Sequence, residues 1–423
     1  MEARAAMIPD VSFNSIRPDV LCQVYRSKLE EFGYLKANVV GIPRTRFTWE
    51  ELYQDQKDKK HRLYGVDRLV EDVLAVSTKE FKSKWRRVKG SVTIDEAVEK
   101  LNKLSTGSAG PYEVVYVILE DTGNVKCLQH FKLEDSFENL KSVMHTAMKK
   151  NNWKKGVQTL YVYAGQCMTV FPIHTEDNKF ESINVNIFGA DKCWDIVPPK
   201  YSDDVRRACE VLKSNLQLHS SENLCNDFLQ HKRLLLTDNF FHKNGIEIFR
   251  VRQPAGTVKI IGPDVYHQGV NLGDNVAIAI NFSSVVWHAS IYQERRFLLD
   301  NQCKCIGVSA RFTNQQTDAI AKLHELINNY ASHLPLHESS STKPISNSNR
   351  SVTNSNQKNY NKVCPFVCTI CNITFTKKFN LQRHKSSVHT SSASSIKFTC
   401  HSCQLSFSNK GNLSKHLRNN TCK

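Results

Sequence analysis

Short hydrophobic runs alternate with polar positions from Glu113 onward, and Gly, Pro and Asp separate the runs. Alternation over a few residues is typical of β-strands, and the separating residues favour turns. The runs are VVYVIL, TLYVYAG, SINVNIFG, WDIVP, GTVKIIG and NVAIAINF. Because few helical stretches lie between them, they predict an antiparallel β-sandwich or barrel, and hence a mainly β fold class.

Helical spacing of the apolar positions is found mainly on the flanks of this β region. Pro18–Gly33 has that spacing and stops at a glycine, and a short apolar strand is predicted at Asn38–Ile42. Residues 66–105 predict mostly helix, within a connector that we place at 48–110.

A helix followed by a linker is predicted after the β region. The segment TDAIAKLHELINNYASHL (317–334) has helical spacing and lies inside a C-terminal helical segment placed at 311–335. Residues 336–363 are rich in Ser and Asn with almost no apolar side chains. Such a composition cannot offset the entropy of ordering the chain, so these residues predict a disordered linker.

The tail of the chain carries one metal-binding spacing twice, as C-x2-C-x12-H-x4-H in 366–389 and as C-x2-C-x12-H-x5-C in 398–422. The ligands are Cys368, Cys371, His384 and His389 in the first copy, and Cys400, Cys403, His416 and Cys422 in the second. The apolar positions between them are Phe375 and Leu381, then Phe407 and Leu413. Zn²⁺ prefers four tetrahedral nitrogen and sulfur ligands, so the repeat predicts two small ββα zinc fingers.

Charge and composition narrow the class of protein. The net charge of +16 and the pI near 9.2 favour a polyanionic partner such as nucleic acid or chromatin, with ordinary solubility charge as the alternative. Of the 14 Cys, eight fall in metal-binding patterns, which argues against a disulfide framework. The sequence has no signal-peptide pattern and no run of 18 apolar residues, so we expect a soluble intracellular protein. KWRRVK (84–89) and the Lys-rich segment 149–155 are candidate nuclear import signals or solvated faces.

One strand of the β region carries a possible metal site. In FPIHTED, His174 and Glu176 are two residues apart, a spacing that places side chains on the same face of a strand. His267 lies in PDVYHQGVN, near the end of another β run. Two imidazoles and one carboxylate form the facial triad of non-haem Fe(II) oxygenases, which leaves positions open for a 2-oxo acid and O2. The alternative for a histidine on such a strand is a structural role.

The block HTEDNKFESINVNIFGADKCWDIVPPKY resembles the JmjC domain of histone lysine demethylases, specifically the JmjN/JmjC lysine demethylase family 4. The resemblance continues through GVQTLYVYAG (156–165), LCNDFLQHK (224–232), PDVYHQGVNLGDNVAIAINF (263–282) and CKC (303–305). It implies a double-stranded β-helix, the cupin-like jelly roll, for a catalytic domain at 111–310. YRSKLEEFGYLKANVVGIP (25–43) resembles the second half of a JmjN domain, which we place at 5–47 as a brace outside the barrel.

The resemblance assigns roles to individual residues. It implies Fe(II) binding by His174, Glu176 and His267, and 2-oxoglutarate binding by Tyr116, Asn184, Lys192 and Trp194. Tyr112 is the alternative to Tyr116, and Lys232 occupies the oxygen side of the site. The methyl-lysine pocket is implied at Gly156, Tyr161, Tyr163 and Asn281, with Ala279 and Ile280 where many relatives carry Ser and Thr. Cys225, His231, Cys303 and Cys305 match the structural zinc site of the family.

The resemblance also implies an activity, which is oxidative removal of methyl groups from tri- or dimethyl-lysine of histone H3, at lysine 9 or lysine 36, with release of formaldehyde. The cofactors implied are Fe(II), 2-oxoglutarate, O2 and Zn(II). The partners expected are the histone H3 tail or nucleosome and DNA, with no membrane, and the location expected is the nucleus. A catalytically inactive scaffold that regulates transcription and a protein hydroxylase are the alternatives. Fungal JmjN–JmjC proteins with a C-terminal finger pair share this architecture.

The fingers predict how DNA is contacted. The helix positions that face bases are Lys377, Asn380, Arg383, Asn409, Asn412 and Lys415. Arg and Lys favour guanine and Asn favours adenine, so a site containing purines is expected. The connector TSSASSIKFT is longer than the usual tight linker, which leaves protein binding as the alternative.

Overall fold

The computed structural model describes residues 6–13, 16–42, 61–81, 90–119, 142–149, 152–154, 157–213, 228–293 and 312–332, and four two-residue strands near the C-terminus. The chain divides into two compact units, Met1–Glu338 and Ser339–Lys423. The predicted linker at 336–363 lies outside the described residues. Among the helices of the described residues, none combines the length and the apolar character needed to cross a membrane.

Strands dominate the first unit. They are β1 (Val11–Ser12), β2 (Tyr34–Val40), β3 (His61–Val70), β4 (Val73–Phe81), β5 (Tyr112–Leu119), β6 (Tyr161–Gly165), β7 (Val170–His174), β8 (Glu181–Gly189), β9 (Lys192–Ile196), β10 (Leu234–Leu236), β11 (Phe249–Gln253), β12 (Thr257–Ile261), β13 (His267–Asn271) and β14 (Asn275–Phe282). The helices are α1 (Pro18–Val24), α2 (Arg26–Phe32), α3 (Ile94–Ser105), α4 (Val143–Thr146), α5 (Ser202–Lys213), α6 (Asp238–Lys243), α7 (Val285–Trp287) and α8 (Asn314–Ser332). A π-helical segment, His288–Gln293, follows α7 directly.

Two sheets form the framework. The larger has ten strands in the order β1-β2-β12-β8-β14-β6-β5-β3-β4-β10, and the smaller has four in the order β11-β9-β13-β7. Apart from the parallel pair β1–β2, the strands pair antiparallel. The predicted mainly β fold is confirmed, and the two sheets are consistent with the jelly roll expected for a JmjC domain.

The two faces of the larger sheet differ in polarity. One face presents Val162, Val185 and Ile278, which pack in a core with Leu29 of α2 and Leu35 of β2. Because neighbouring residues of a strand point to opposite faces, the other face carries the intervening polar and aromatic residues. That inner face is turned towards the smaller sheet, since residues of both sheets share a second apolar cluster.

Ile280 lies in the outer core rather than in the predicted methyl-lysine pocket. It is 7% exposed and belongs to the apolar cluster beneath the larger sheet. Its neighbours Ala279 and Asn281 are on the inner face. The prediction for Ile280 is therefore wrong, because consecutive residues of β14 cannot share a face.

Residues 61–81 form a hairpin, which corrects the predicted helical character of this part of the connector. Strands β3 and β4 pair antiparallel, with Val70 opposite Val73, so that two residues make the turn. The second turn residue, Asp72, has a φ of 65°, a conformation that Asp accepts more readily than most residues. The buried positions of this hairpin alternate with a period of two, and many of its side chains are β-branched. Both features favour strands over the helix that the apolar spacing predicted.

Among the described residues of the connector, the helical prediction holds for α3 alone. Thr93 and Glu96 form a reciprocal capping box at its start, in which each side chain bonds to the backbone N–H of the other residue. Acidic residues in the first turn and Lys103 in the last turn complement the helix dipole.

The N-terminal segment forms two helices and the strand β2, where the sequence predicts one helical stretch and a strand. The helical stretch divides at Tyr25 into α1 and α2, and α2 ends at Gly33 with a φ of 78°. Strand β2 begins earlier than the predicted Asn38–Ile42 and pairs with β12. The segment thus extends the larger sheet and contributes to its outer core. The assignment of a JmjN domain to 5–47 stays a prediction.

A helical layer covers one end of the inner face. Helices α4, α7 and α8 surround an apolar cluster that includes Met144, Phe180, Trp287 and Ile320. Helix α8 confirms the predicted terminal helix within two or three residues at each end.

Two buried histidines in this helical layer predict that acid destabilises the protein. Burial lowers the pKa of His145 to about 4, and burial together with the positive charge of His288 lowers the pKa of His324 to about 3. Both imidazoles titrate near pH 6.5 when exposed, so the unfolded chain takes up protons that the folded chain refuses. The contribution of these two neutral imidazoles to the free energy of unfolding is fully present above pH 6.5. It is lost as the pH falls towards 4 and 3, and the loss is about 2 kcal/mol per histidine at pH 5.

Urea unfolding of wild type and His324→Gln between about pH 7.5 and 5 checks this expectation. Over that range the free energy of unfolding of the variant falls by about 2 kcal/mol less than that of wild type. The variant is compared with wild type at each pH, because Glu181 adds a pH dependence of its own in both proteins. Burial raises the pKa of Glu181 to about 7, which favours the folded state at low pH. His242 is exposed, and His242→Gln is the control for a His-to-Gln substitution outside the core. Parallel curves for His324→Gln and wild type would contradict the assignment.

The second unit contains two short hairpins. Phe366–Val367 pairs with Thr374–Phe375, and Phe398–Thr399 pairs with Ser406–Phe407. These hairpins are the β part of the two predicted ββα fingers. All eight zinc ligands and the six predicted DNA-contacting residues lie outside the described residues.

Candidate active site

His174, Glu176 and His267 converge at one point between the two sheets. His174 ends β7 and His267 begins β13, and the two residues are direct partners across the strand pair. Their ring centroids are 4.3 Å apart, and the Nε2 atom of His267 is 3.6 Å from Oε1 of Glu176. One ligand atom from each residue lies within 4.8 Å of the others. The structure thus brings together the three residues that the sequence predicts as iron ligands.

Backbone carbonyls orient both imidazoles. Nδ1–H of His174 donates to the carbonyl of Pro172 at 2.7 Å, and Nδ1–H of His267 donates to that of Val265 at 2.9 Å. Each acceptor lies two residues before its histidine. Since Nδ1 carries the proton, Nε2 has its lone pair available, which is the arrangement that metal-binding histidines use.

The protonation states of the site suit a divalent metal. Burial, with the positive charges of His267 and Lys232, holds the pKa of His174 well below its usual value. Burial raises the pKa of Glu176, but the interaction with the His267 imidazole 3.6 Å away and the neighbouring positive charges outweigh burial and hold that pKa well below its usual value. A neutral imidazole and an ionised carboxylate bind metals without first losing a proton. The donor set therefore fits the facial triad of Fe(II).

Lys192 provides a buried cation on the inner face of β9. Its Nζ donates to Oδ1 of Asn271 at 2.7 Å and lies 5.6 Å from the ring of Phe171. Burial lowers the pKa of Lys192 to about 7. An anionic group that reaches this amine would restore its charge and gain a charge-assisted hydrogen bond. The position suits the distal carboxylate of 2-oxoglutarate.

Asn271 and Gly165 shape the space beside Lys192, and the sequence did not single them out. The Nδ2 atom of Asn271 is buried and has no hydrogen-bond partner among the described residues. A Cβ at Gly165 would lie 1.9 Å from that Nδ2 and 3.3 Å from the Tyr116 ring, so only glycine leaves room here. An unsatisfied buried donor next to a buried amine fits a carboxylate. The available signal was the i+4 spacing from His267, which puts Asn271 on the same face of β13.

Tyr116, and not Tyr112, lies beside Gly165 and Asn271, and its contact with 2-oxoglutarate stays a prediction. Tyr116 lies opposite Gly165 across β5 and β6, next to Asn271. Burial, with the neighbouring Tyr64, raises the pKa of Tyr116 well above its usual value, so the phenol keeps its proton as a donor. The hydroxyl of Tyr112 already donates to the carbonyl of Met168 at 3.1 Å.

Trp194 forms a wall between Lys192 and the histidines. Its ring centroid is 4.6 Å from that of Phe171 and 5.9 Å from that of His267. Its Nε1–H donates to Oε1 of Gln253 at 2.8 Å, which fixes the ring. A contact between Trp194 and 2-oxoglutarate stays a prediction.

Asn184 faces the same interior from β8. Its Oδ1 is buried and has no hydrogen-bond partner among the described residues, while its backbone carbonyl accepts from Gln253 at 3.1 Å. A contact between Asn184 and 2-oxoglutarate stays a prediction.

The predicted methyl-lysine residues share the inner face beyond this pocket. The ring of Tyr163 is 5.6 Å from that of Tyr161 and 5.8 Å from that of Tyr116. Ala279 is the cross-strand partner of Tyr161, and Asn281 is buried two residues further along β14. Gly156 lies outside the described residues.

Two predicted site residues, His231 and Lys232, lie at the end of the 3-10 turn Phe228–His231. Lys232 is exposed and has a φ of 56°, and its positive charge lowers the pKa of His174. His231 ends the turn. The other predicted ligands of the structural zinc, Cys225, Cys303 and Cys305, lie outside the described residues, so this zinc site stays a prediction.

Comparison with known families finds two kinds of domain. The family described as "JmjC domain, hydroxylase" matches residues 161–282, inside the predicted 111–310. The family described as "Zinc finger, C2H2 type" matches residues 366–389 and 398–419. The first finger has its predicted bounds, and the second match ends before the predicted ligand Cys422.

Curated relatives resemble the same central region. Over 133 residues the chain is 41% identical to lysine-specific demethylase 4D of Rattus norvegicus and 38% identical to lysine-specific demethylase 4B of Mus musculus. Over 139 residues it is 33% identical to lysine-specific demethylase rbr-2 of Caenorhabditis briggsae. These alignments cover 31%, 31% and 33% of this chain, and 25%, 12% and 9% of the relatives. The chain thus spans a quarter or less of the length of the relatives it matches.

The convergent triad lies within the matched residues 161–282, and the finger matches coincide with the two C-terminal hairpins. The chain therefore contains a JmjC domain followed by two zinc fingers of the C2H2 type.

Proposed function

We propose that this protein is an Fe(II)- and 2-oxoglutarate-dependent histone lysine demethylase. The observation that carries the proposal is the convergence of His174, Glu176 and His267 with both Nε2 atoms available. Support also comes from the relatives, whose names describe lysine-specific demethylases. When bound, Fe(II) together with 2-oxoglutarate and O2 supplies an oxidising power that no side chain of the protein has.

Residues of the chain bind and orient the reactants in this proposal. The imidazoles and carboxylate of the triad hold the metal, and Lys192 with Asn271 and Tyr116 holds the distal carboxylate of 2-oxoglutarate. Trp194 and Phe171 exclude water from the space between them, which strengthens the electrostatic contacts there.

The aromatic face on β6 is proposed to bind the substrate. A trimethylated ammonium has no N–H to donate, so it is held by aromatic faces and oxygen atoms that contact its polarised methyl groups. Tyr161 and Tyr163 supply two such rings on one face of the strand. Burial, with the nearby charge of Glu176 among other causes, raises the pKa of Tyr163 well above its usual value. This tyrosine therefore remains neutral beside the triad.

The substrate and its delivery form the finer part of the proposal. We infer that the substrate is tri- or dimethyl-lysine at position 9 or 36 of histone H3, and that the protein acts in the nucleus as a regulator of transcription. The zinc fingers bind DNA and bring the JmjC domain to chromatin. The net charge of +16 supports contact with a polyanion.

A panel of H3 peptides methylated at lysine 9 or 36 tests the proposal. Purified full-length protein with Fe(II), 2-oxoglutarate and ascorbate is expected to remove methyl groups and to release formaldehyde in equal amounts. Mass spectrometry of the peptides and a formaldehyde assay measure both products. Succinate with peptides that gain oxygen but lose no methyl group would indicate a protein hydroxylase. Product levels equal to those of His174→Ala would indicate a catalytically inactive scaffold.

A further inference from the structure

A buried ion pair joins the two segments that carry the predicted metal ligands. Nζ of Lys179 lies 2.9 Å from Oδ1 of Asp264, and the two side chains are 7% and 2% exposed. Lys179 follows Glu176 by three residues, and Asp264 precedes His267 by three. The pair therefore connects the loop after β7 to the loop before β13.

Lys179 also contacts the residues next to the ligands. Its Nζ donates to Oγ1 of Thr175 at 2.9 Å, and Thr175 is the residue between His174 and Glu176. The same Nζ is 5.7 Å from the ring centroid of Tyr266, which directly precedes His267. One ammonium group thus contacts the chain immediately beside all three ligands.

Further side chains fix this ion pair. Gln230 donates from Nε2 to Oγ1 of Thr175, so that hydroxyl is held from two sides. Nη2 of Arg206 lies 3.6 Å from Oδ2 of Asp264, and Oγ of Ser202 donates to the backbone carbonyl of Asp264 at 3.3 Å. Helix α5 and the turn before Lys232 therefore anchor both ends of the pair.

The backbone at these positions is unusual. Asn178, Lys179 and Asp264 have φ values of 52°, 56° and 55°, in the left-handed region. Asn and Asp enter that region more readily than other residues with a side chain, whereas Lys enters it at a cost. A buried charge pair adds the cost of removing both ions from water. Strained backbone conformations cluster at functional sites, where the surrounding structure holds them in place. Here the strained residues also carry a desolvated ion pair beside the predicted metal ligands.

We propose that Lys179 and Asp264 form a positioning pair that sets the separation between the Glu176 loop and the His267 strand, and thereby the affinity for the metal. The inference rests on the metal site of the proposed function but not on the substrate. Neither residue supplies a ligand atom. Loss of either charge weakens the compensation of its buried partner, with Arg206 as the more distant cation beside Asp264, and the two loops then separate.

Co(II) binding to the full-length protein tests the pair without any turnover. The ligand-field absorption of Co(II) reports both affinity and coordination geometry. Lys179→Met and Asp264→Asn are each expected to weaken Co(II) binding by about 10–100-fold, the range for residues that orient metal ligands, and to shift the absorption bands. The double variant is expected to be no weaker than the single variants, because both remove the same interaction. Lys179→Arg keeps the charge and is expected to stay within about threefold of wild type.

A second Lys–Asp pair of this chain, in which the lysine is exposed and the aspartate is buried, provides a control. Lys243 pairs with Asp72 at 2.5 Å, and Asp72 is likewise buried with a positive φ, but the pair lies at the β3–β4 turn away from the ligands. Lys243→Met is expected to lower the free energy of unfolding and to leave Co(II) affinity and spectrum unchanged. Unfolding of every metal-free variant is measured in urea, so that stability and metal affinity are compared separately.

The outcomes separate this inference from the proposed function. Wild-type protein that binds no Co(II) would overturn the metal site and the proposed function with it. If wild type binds Co(II) and Asp264→Asn binds it within twofold, the positioning role is wrong, whatever the change in stability. Asp264→Asn preserves the shape of the side chain and a residue type suited to the left-handed region, so it remains informative if Lys179→Met fails to fold.

Discussion

Replacement of His267 by alanine is expected to abolish turnover and to weaken Fe(II) or Co(II) binding by more than about 100-fold. Loss of groups that merely orient metal ligands already costs about 10–100-fold in affinity, and loss of a ligand exceeds that range. His267 is buried, and its Nε2 lies 3.6 Å from Oε1 of Glu176, so alanine removes one of the three ligands from the shared centre. Metal affinity is measured by Co(II) absorption, and turnover by formaldehyde release from the H3 peptide that wild type accepts.

Gln268 supplies the control for damage to the strand itself. It is the next residue of β13, is equally buried, and points to the opposite face, where its Oε1 accepts from the backbone N–H of Leu236 at 2.9 Å. Gln268→Met removes this bond and its partner bond to the carbonyl of Leu236, at a cost of about 1–3 kcal/mol for the groups left unpaired. Metal binding is expected to persist in Gln268→Met. Retention of wild-type Co(II) affinity by His267→Ala would show that the triad is not the metal site.

The sequence predicts the triad well because the information is local and the motifs are long. His174 and Glu176 are two residues apart, and the alternation of a strand is enough to bring them to one side. His267 is more distant in the chain, but it lies in the motif PDVYHQGVN. The antiparallel pairing of β7 and β13 places it opposite His174. The polarity of the inner face followed from the same alternation.

Parts of the site that depend on strand register could not be predicted in this way. Asn271 meets Lys192 because β13 and β9 pair with these two residues opposite each other, and a sequence does not state its register. Asp264 meets Lys179 for a similar reason, through two loops that only the folded chain brings together. The hairpin at 61–81 was missed because its apolar residues fit a helical and a strand period alike, and the pairing with β5 and β10 decides between them.

The error at Ile280 has a different origin. The resemblance placed Ala279 and Ile280 together in the substrate pocket because they are neighbours in the chain. On a strand, neighbours point to opposite faces, so only one of them can line the pocket. Ala279, the partner of Tyr161, is that residue. Its small side chain leaves space beside Tyr161, and this position rather than 280 is the one at which a larger residue would change substrate preference.

Replacement of Lys192 by methionine is expected to weaken 2-oxoglutarate binding by about 100-fold without loss of the metal. A hydrogen bond to a charged group contributes about 1.5–3 kcal/mol, and the buried position of Lys192 places its contact at the upper part of that range. Methionine keeps the volume and apolar stem of the side chain but cannot donate to Asn271 or to a carboxylate. The dissociation constant of 2-oxoglutarate is measured with Mn(II)-loaded protein in the absence of O2, and Co(II) affinity is measured in parallel.

A ligand without the distal carboxylate distinguishes loss of the Lys192 contact from general damage to the binding site. 2-Oxobutyrate has the same chelating end as 2-oxoglutarate but no distal carboxylate, so its weaker binding is expected to be the same in wild type and Lys192→Met.

The pH dependence of 2-oxoglutarate affinity is an independent test of the Lys192 contact. Because burial lowers the pKa of Lys192 to about 7, the free protein loses the ammonium charge above that pH, and 2-oxoglutarate must bring a proton with it to bind. Its affinity is therefore expected to fall as the pH rises from 7 to 8.5 in wild type, and to show no such fall in Lys192→Met. Equal weakening of both ligands in the variant would place the distal carboxylate elsewhere.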